Sequence, residues 1–242
     1  HDVYNKHEEC PDWGNKARDK YDSELCYADK WLGKLLEFAE AQPWWNNTAV
    51  IITSDHGEAF GEHGQFRHAF ELWDVLTRVP MIIHVPGAKP QRIDLKRSHI
   101  DLAPTILDLM GLAIPPELPG KSLVPELCGV APAADRDPIL LDLPEDSNNP
   151  QRQAIISGNY KLIVAGPKGY IKQLYDLSKD PGELKDLAKE QPEKLAEMVA
   201  LFEKSWGAIP QVKPFGGNKL ASGALATGPM GPAQDPNLQS KK

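Results

Sequence analysis

Thr48-Ala-Val-Ile-Ile-Thr-Ser-Asp-His-Gly-Glu58 is the stretch that decides the reading of the fold. Its first seven residues form a compact β-rich run, too short for a helix and without alternation, which is the pattern of a buried parallel strand. The run empties into Asp55-His56-Gly57-Glu58, a polar group at a strand's carboxyl end, where open α/β sheets place their ligand crevice. A second such run, Val79-Pro-Met-Ile-Ile-His-Val85, stops at Pro86-Gly87. Its Pro80 sits at the start, where a missing N–H is tolerated. Upstream, Leu25, Ala28, Leu32, Leu35, Leu36 and Ala39 share one face at helical spacing, with Lys30, Lys34, Glu37 and Glu40 opposite. That pattern predicts a helix from about residue 22, with Asp22 or Ser23 as N-cap and Gln42-Pro43 as its stop. Downstream, a helix is predicted over 102–110, with Asp101 as N-cap, Pro104 in the first turn and Gly111 as the stop. Strand and helix alternating in this order imply an α/β fold with a largely parallel sheet flanked by helices.

Beyond the second helix the pattern changes. Residues 112–138 are Pro-rich and read as a surface excursion. Four short β-like runs follow, at 139–142, 153–157, 160–164 and 173–177, with Asn159 supplying a turn, and these predict a small antiparallel sheet. After Pro181-Gly182 a helix is expected over about 184–206, with Leu184, Leu187, Leu195, Met198, Val199 and Phe202 as its apolar stripe. From Gly207 onward large apolar residues nearly vanish, so the tail is expected to be disordered. The expected organisation is therefore 1–132 as part of a catalytic α/β domain, 133–206 as a smaller subdomain, and 207–242 as tail.

Composition removes several function classes. The chain has 242 residues, 41% hydrophobic and 25% charged, and its longest apolar runs fall far short of the ~20 residues of a spanning helix. With 27 Lys+Arg against 34 Asp+Glu the net charge is −7, so the basic footprint of a nucleic-acid binder is missing. Cys10, Cys26 and Cys128 share no close spacing, which excludes a zinc-ribbon framework and a disulfide-dense scaffold. Cys26 falls in the apolar helix and reads as a core residue.

The densest chemistry lies between residues 55 and 68. Asp55, His56, Glu58, Glu62, His63 and His68 put three imidazoles and three carboxylates into fourteen residues, with Gly57 and Gly61 allowing close backbone approach. A carboxylate oxygen beside an imidazole nitrogen suits a divalent cation, and further histidines suit an anion.

Five blocks in order carry a family resemblance. Ser54-Asp-His-Gly-Glu-x-x-Gly-Glu-His-Gly64 with His68 comes first, followed by Arg78-Val-Pro-Met-Ile-Ile83 with Pro86-Gly87. Then come Asp101-Leu-Ala-Pro-Thr-Ile-Leu-Asp-Leu-Met-Gly111, Gly120-Lys-Ser-Leu123, and Leu174-Tyr-Asp-Leu-x-x-Asp-Pro-Gly-Glu183. Together they resemble the C-terminal part of a sulfatase of the alkaline-phosphatase superfamily. The resemblance implies that Asp55 and His56 ligate a divalent metal, calcium first and manganese or zinc as alternatives. It implies that His68 stands where the family places a Lys or His touching the ester. His63 and Arg67 are candidates for lining the substrate pocket, while Glu58 and Glu62 read as supporting or structural. His1 with Tyr4 resembles the tail of a segment whose histidine is catalytic.

The resemblance also implies a formylglycine nucleophile made from Cys or Ser in C/S-x-P-x-R, and no such pentapeptide occurs in the chain. The expectation is a fragment whose nucleophile lies in a missing N-terminal part and which does not turn over alone. A sulfate ester, on a small molecule or a glycan, is the expected substrate. A phosphodiesterase or phosphonate monoester hydrolase is the first alternative, and a non-catalytic anion-binding module is the second.

Overall fold

The computed structural model describes residues 4–68, 70–136, 138–145, 150–166 and 170–209. His1 lies outside them, and so does the expected tail from residue 210 onward. The chain folds as two compact units, one of His1–Ile52 with Ile82–Ala88 and one of Thr53–Met81 with Lys89–Lys242.

The first unit is built on helix α1 (Ala17–Glu40) and the strands β1 (Val50–Thr53) and β4 (Met81–His84), which pair as a two-stranded sheet. Helix α1 begins five residues before the expected start. The cap is Lys16, whose N–H reaches the Asp19 carboxylate at 3.0 Å. The first turn, Ala-Arg-Asp-Lys, carries no apolar periodicity, so the pattern that located the helix is silent there. Ser23, expected as a cap, is buried inside the helix and takes the His7 N–H at 2.9 Å.

Cys26 is not a free core thiol. It forms a disulfide with Cys10, with Cα atoms 6.1 Å apart, and the segment before it is strapped along the helix. Asn5 N–H and His7 Nε2 both donate to Glu24 at 2.9 Å, and the His7 ring stacks on Tyr27 at 4.0 Å. The helix face further on is open, with Leu35 60% and Phe38 61% exposed. Of the expected apolar stripe, Ala39 is buried and Leu32 and Leu36 are half-buried, while Leu25, Ala28 and Leu35 are exposed.

The second unit holds the hairpin strands β2 (Ala59–Phe60) and β3 (Phe66–Arg67) and the short helix α2 (Asp74–Thr77). Helix α3 (Leu102–Leu109) follows a 3-10 turn at His99–Asp101 and stops at Gly111, whose φ is +68. Asp101 holds the expected N-cap position, but its side chain makes no capping bond. Its carboxylate instead takes Lys121 N–H at 2.9 Å and Arg136 at 3.1 Å. The Pro-rich excursion is accordingly anchored rather than loose. It contains helix α4 (Val124–Leu127), a buried Leu123, and Glu126 paired with Arg97 at 2.5 Å.

The four-stranded sheet is an antiparallel meander of β5 (Ile139–Leu143), β6 (Arg152–Ser157), β7 (Tyr160–Ala165) and β8 (Ile171–Asp176), in that order. Both of its faces are covered where the strands are richest in apolar residues. On one face Ile155, Leu162, Val164 and Leu174 pack with Met198 of helix α5 (Pro192–Gly207). That helix starts eight residues later than expected. Residues before it form turns in which Glu183 has φ +53, and Leu184 points out at 81% exposure. On the other face Ala154, Ile163 and Tyr175 pack against Leu72 and Trp73.

Charges bracket that second face. Glu71 meets Arg152 on β6 at 2.8 and 2.9 Å. Lys161 on β7, fully buried, meets Asp74 and Glu183 at 2.8 Å each. Burial pushes the Glu71 and Glu183 carboxyls above the usual range, against the pull of Arg152 and Lys161 respectively.

Two stability tests follow from this architecture. Replacing Lys161 with Met strands two carboxylates in the interior and should cost about 3–5 kcal/mol in urea unfolding; a loss below about 1 kcal/mol would mean the pair is not buried as described. The Cys10→Ser, Cys26→Ser double variant opens a loop of roughly 15 residues and should lose about 3 kcal/mol in the same assay.

Candidate functional site

The turn after β1 is locked residue by residue. Ser54 Oγ donates to the His56 carbonyl at 2.7 Å, and His56 N–H donates to Asp55 Oδ1 at 3.0 Å. That N–H holds the Asp55 carboxyl below the usual carboxylate range. Gly57 donates its N–H to the Leu76 carbonyl at 2.8 Å, and a Cβ there would lie 2.0 Å from the Val75 carbonyl oxygen, so only glycine fits.

Within this turn Asp55 and His56 present a pair of donors. The Asp55 side chain is 84% exposed, and its Oδ2 lies 3.6 Å from His56 Nε2. His56 Nδ1 donates to the Gly57 carbonyl at 2.8 Å, which leaves the lone pair on Nε2, facing Asp55. Two donors each about 2.0–2.6 Å from one ion are separated by roughly this distance. The residues fit a divalent cation.

The hairpin then returns the chain. Ala59 pairs with Arg67 and Phe60 with Phe66, and Gly61 N–H reaches the Gln65 carbonyl at 2.7 Å. The turn between them needs left-handed backbone, at Gly61 (φ +122), His63 (φ +53) and Gly64 (φ +73). Continued one residue outward, the same register sets Glu58 opposite His68. Their side chains meet there, with His68 Nδ1 2.9 Å from Glu58 Oε2. The His68 ring also stacks on His56, with centroids 4.3 Å apart.

The other expected site residues are placed differently. His63 stacks on Trp73 at 3.9 Å and donates Nε2–H to the Gly182 carbonyl at 3.0 Å, so it ties the hairpin turn to the 180–183 turn. Burial holds its imidazole below the ordinary value, outweighing the Gly182 carbonyl. It also forms a wall of an open cleft shared with Glu62, Arg78 and Glu183. Arg67 is exposed on β3 with φ +71. His99 donates Nε2–H to Thr53 Oγ1, which in turn donates to the Pro80 carbonyl, and so serves the strand end.

His56, Glu58 and His68 also cluster, with ligand atoms within 4.8 Å of one another. The stacked rings tilt by only 22°, so their in-plane lone pairs run side by side and do not converge on one ion. Sequence reasoning did not connect Glu58 with His68, or His63 with Trp73 and Gly182. The signal for the first was available as Ala-Phe-Gly-Glu-His-Gly-Gln-Phe-Arg, two aromatic dipeptides about a Gly-rich turn. The second joins residues 119 apart and had none.

Comparison with known proteins bears on the family and the fold. The family model "Sulfatase" matches residues 2–112, and "N-sulphoglucosamine sulphohydrolase, C-terminal" matches 61–205. A Delta 4,5-hexuronate-2-O-sulfatase of Bacteroides thetaiotaomicron is 32% identical over 194 residues, covering 72% of this chain and 38% of that protein. The solved structure of a 2-O GAG sulfatase superposes with a TM-score of 0.68 at 28% identity, over 79% of this chain and 42% of that one. The phosphonate monoester hydrolase of Agrobacterium radiobacter gives 0.66 at 28%, over 78% and 40%. The chain spans about a third of the length of the curated relatives it matches. Among the described residues no helix is long and apolar enough to cross a membrane.

The His63 contacts are testable by hydrogen exchange. His63→Ala removes an aromatic stack and a hydrogen bond, so the 180–183 turn should open more easily by about 1–2 kcal/mol. In the wild type the depressed imidazole value favours the folded turn above the ordinary His range. That contribution is lost as pH falls through the folded value, so protection should drop on acidification. Unchanged exchange in the variant would remove His63 from this role.

Proposed function

We propose that this chain, which belongs to the sulfatase family, contributes half of a metal site and an ester-contacting imidazole to a sulfate-ester hydrolase. Asp55 and His56 are the metal ligands of this reading and His68 meets the ester. The observation that supports it most is the Asp55–His56 pair, two donors 3.6 Å apart with the second imidazole nitrogen fixed by a carbonyl.

A divalent cation held there would polarise the transferring group and neutralise charge on it. The chain's own residues do the rest of what is proposed here. Asp55 brings a charged oxygen to the ion, His56 a neutral nitrogen in a fixed tautomer, and His68 a ring nitrogen to an ester oxygen. The nucleophile of the proposal is a formylglycine in sequence outside these 242 residues. His1, outside the described residues, keeps its expected role beside the sulfate.

Calcium is the proposed ion, since the charged oxygen of Asp55 favours it, with manganese or zinc as the alternatives an imidazole allows. A sulfated sugar is the proposed substrate, supported by relatives named for hexuronate and GAG sulfates. A phosphonate monoester is the second reading, supported by the likeness to a hydrolase of that class. Assay of the enzyme carrying this chain on an aryl sulfate and on an aryl phosphonate monoester separates the two.

The metal half is tested by titrating calcium, manganese and zinc into the chain and into its variants. Asp55→Ala should abolish binding and, in the intact enzyme, metal-dependent turnover. His56→Asn should be milder and move preference toward calcium, because the amide offers an oxygen. His68→Ala should keep the metal and lower turnover by about 10²–10³-fold, the scale of a lost electrostatic catalytic group. Full metal content and full rate in Asp55→Ala would place the site elsewhere.

A further inference from the structure

We propose that the open apolar face of the first unit is the seat of the remainder of the catalytic domain, the portion outside these 242 residues that carries the nucleophile in the reading above. The surface is the Trp31, Leu35 and Phe38 ridge of α1 together with the β1–β4 strand pair, and the occupant is a polypeptide that brings apolar strands to it. The inference rests on that reading for the identity of the occupant; the surface itself is argued from packing.

The first unit has almost no interior. Among the described residues Ala39 is its one buried apolar side chain, and every other buried apolar residue belongs to the second unit. Trp31, Leu35 and Phe38 stand at i, i+4 and i+7 on α1 and so share one face. They are 47%, 60% and 61% exposed. The Trp31 ring meets Tyr27 and Lys34, both from its own helix. Single exposed apolar residues are ordinary, but three large ones along one ridge mark an interaction surface.

The strands show the same deficit. Val50-Ile-Ile52 has the composition of a strand covered on both sides, yet no residue of β1 or β4 is buried, and Ile82 is 59% exposed. Two strands of four residues are too few to be stable alone in water. Each also has one edge with no neighbouring strand among the described residues. A helix ridge and a strand pair that both lack cover call for further strands packed as a layer.

What the surface lacks matches what the chain lacks. The chain spans 38% of the hexuronate-2-O-sulfatase and 42% of the solved GAG sulfatase, so each of those relatives holds more than half its length elsewhere. A second copy of the chain would cover the ridge but would supply no nucleophile. The rest of the domain supplies both.

The test compares one substitution in the 242-residue chain and in the intact enzyme carrying it. Phe38→Glu should leave the thermal midpoint of the chain within about 2 °C, as at an exposed position, and lower that of the enzyme by roughly 10 °C or more, as at a buried one. Phe38→Ala is the milder variant should the first fail to fold, and it should lower the enzyme's midpoint by about 5 °C. Lys30→Glu, on the opposite face, should move neither. Hydrogen exchange reads the strands: amides of 50–53 and 81–84 should exchange roughly 100-fold more slowly in the enzyme than in the chain. Equal shifts in chain and enzyme would mean that the chain already covers the face, and no shift in either would mean that it stays open; both overturn the proposal. A chain that sediments as a dimer, and as a monomer in Phe38→Glu, assigns the face to a second copy and overturns the occupant. None of these measurements uses turnover. An intact enzyme inactive on both sulfate and phosphonate esters overturns the function proposed above and leaves them standing, so the two failures are distinct.

Discussion

Lys161 is buried without any exposed surface between Asp74 and Glu183, and the second unit depends on that contact. Its ammonium is the cation shared by two carboxylates that come from segments 109 residues apart, and Glu183 also accepts Asp74 N–H at 2.5 Å. An ion pair withdrawn from water is tolerated only where the geometry is complete, because each charge forfeits several kcal/mol of hydration. The chain completes it with a short sequence device. Glu71-Leu-Trp-Asp74 carries two apolar side chains that fill the sheet face and two acids that meet Arg152 and Lys161 at either side. The segment can therefore settle on the sheet in one register only, since a shift of one residue would put a carboxylate against Ile163 and Tyr175.

That constraint reaches the polar turn through short links. Leu76, two residues past Asp74, accepts Gly57 N–H, so the backbone beside Asp55 and His56 is bonded to the segment clamped on the sheet. Trp73, inside the clamped segment, is the platform for His63, and His63 reaches the turn that presents Glu183. The antiparallel sheet carries none of the candidate ligands. It supplies the floor against which a loop rich in glycine and left-handed residues keeps one conformation. Such a loop has little intrinsic order, because its glycines add backbone freedom that folding must remove. External bonds to a rigid element are what hold it, which is how functional loops are generally positioned.

Sequence made the elements legible where burial imposes a period. The runs 139–142, 153–157, 160–164 and 173–177 locate a four-stranded sheet within a residue or two, because the buried middle of each strand is rich in apolar residues. Pattern failed where polar contacts set the boundary. The start of α1 is decided by Asp19 on a lysine's N–H, and residues 184–191 break the expected helix because Glu183 turns inward to Lys161. Leu184 then faces outward although its spacing fits the stripe. The Cys10–Cys26 bridge was invisible for a related reason, since a single pair 16 residues apart has no periodicity to betray it. In the candidate site, residue types and their place after a strand pointed to Asp55 and His56, whereas the division of labour among the histidines needed coordinates.

That division follows from where each ring spends its one committed N–H. His56 gives Nδ1–H to a carbonyl one residue away, so its other nitrogen is fixed by purely local geometry and faces Asp55. His63 gives Nε2–H to a carbonyl 119 residues away, and with its face on Trp73 its binding capacity goes into holding two turns together. His68 gives Nδ1–H to a carboxylate, the only one of the three acceptors that carries charge. A carbonyl and a carboxylate alike fix which ring nitrogen carries the proton, and each holds the ring in one orientation. Three chemically identical side chains within thirteen residues are thus separated into a ligand-type nitrogen, a brace and a ring held by a carboxylate. The acceptors are in turn fixed by a β-hairpin register and by the clamp on the sheet. Composition places the imidazoles in one loop; the backbone's choice of acceptor makes them different.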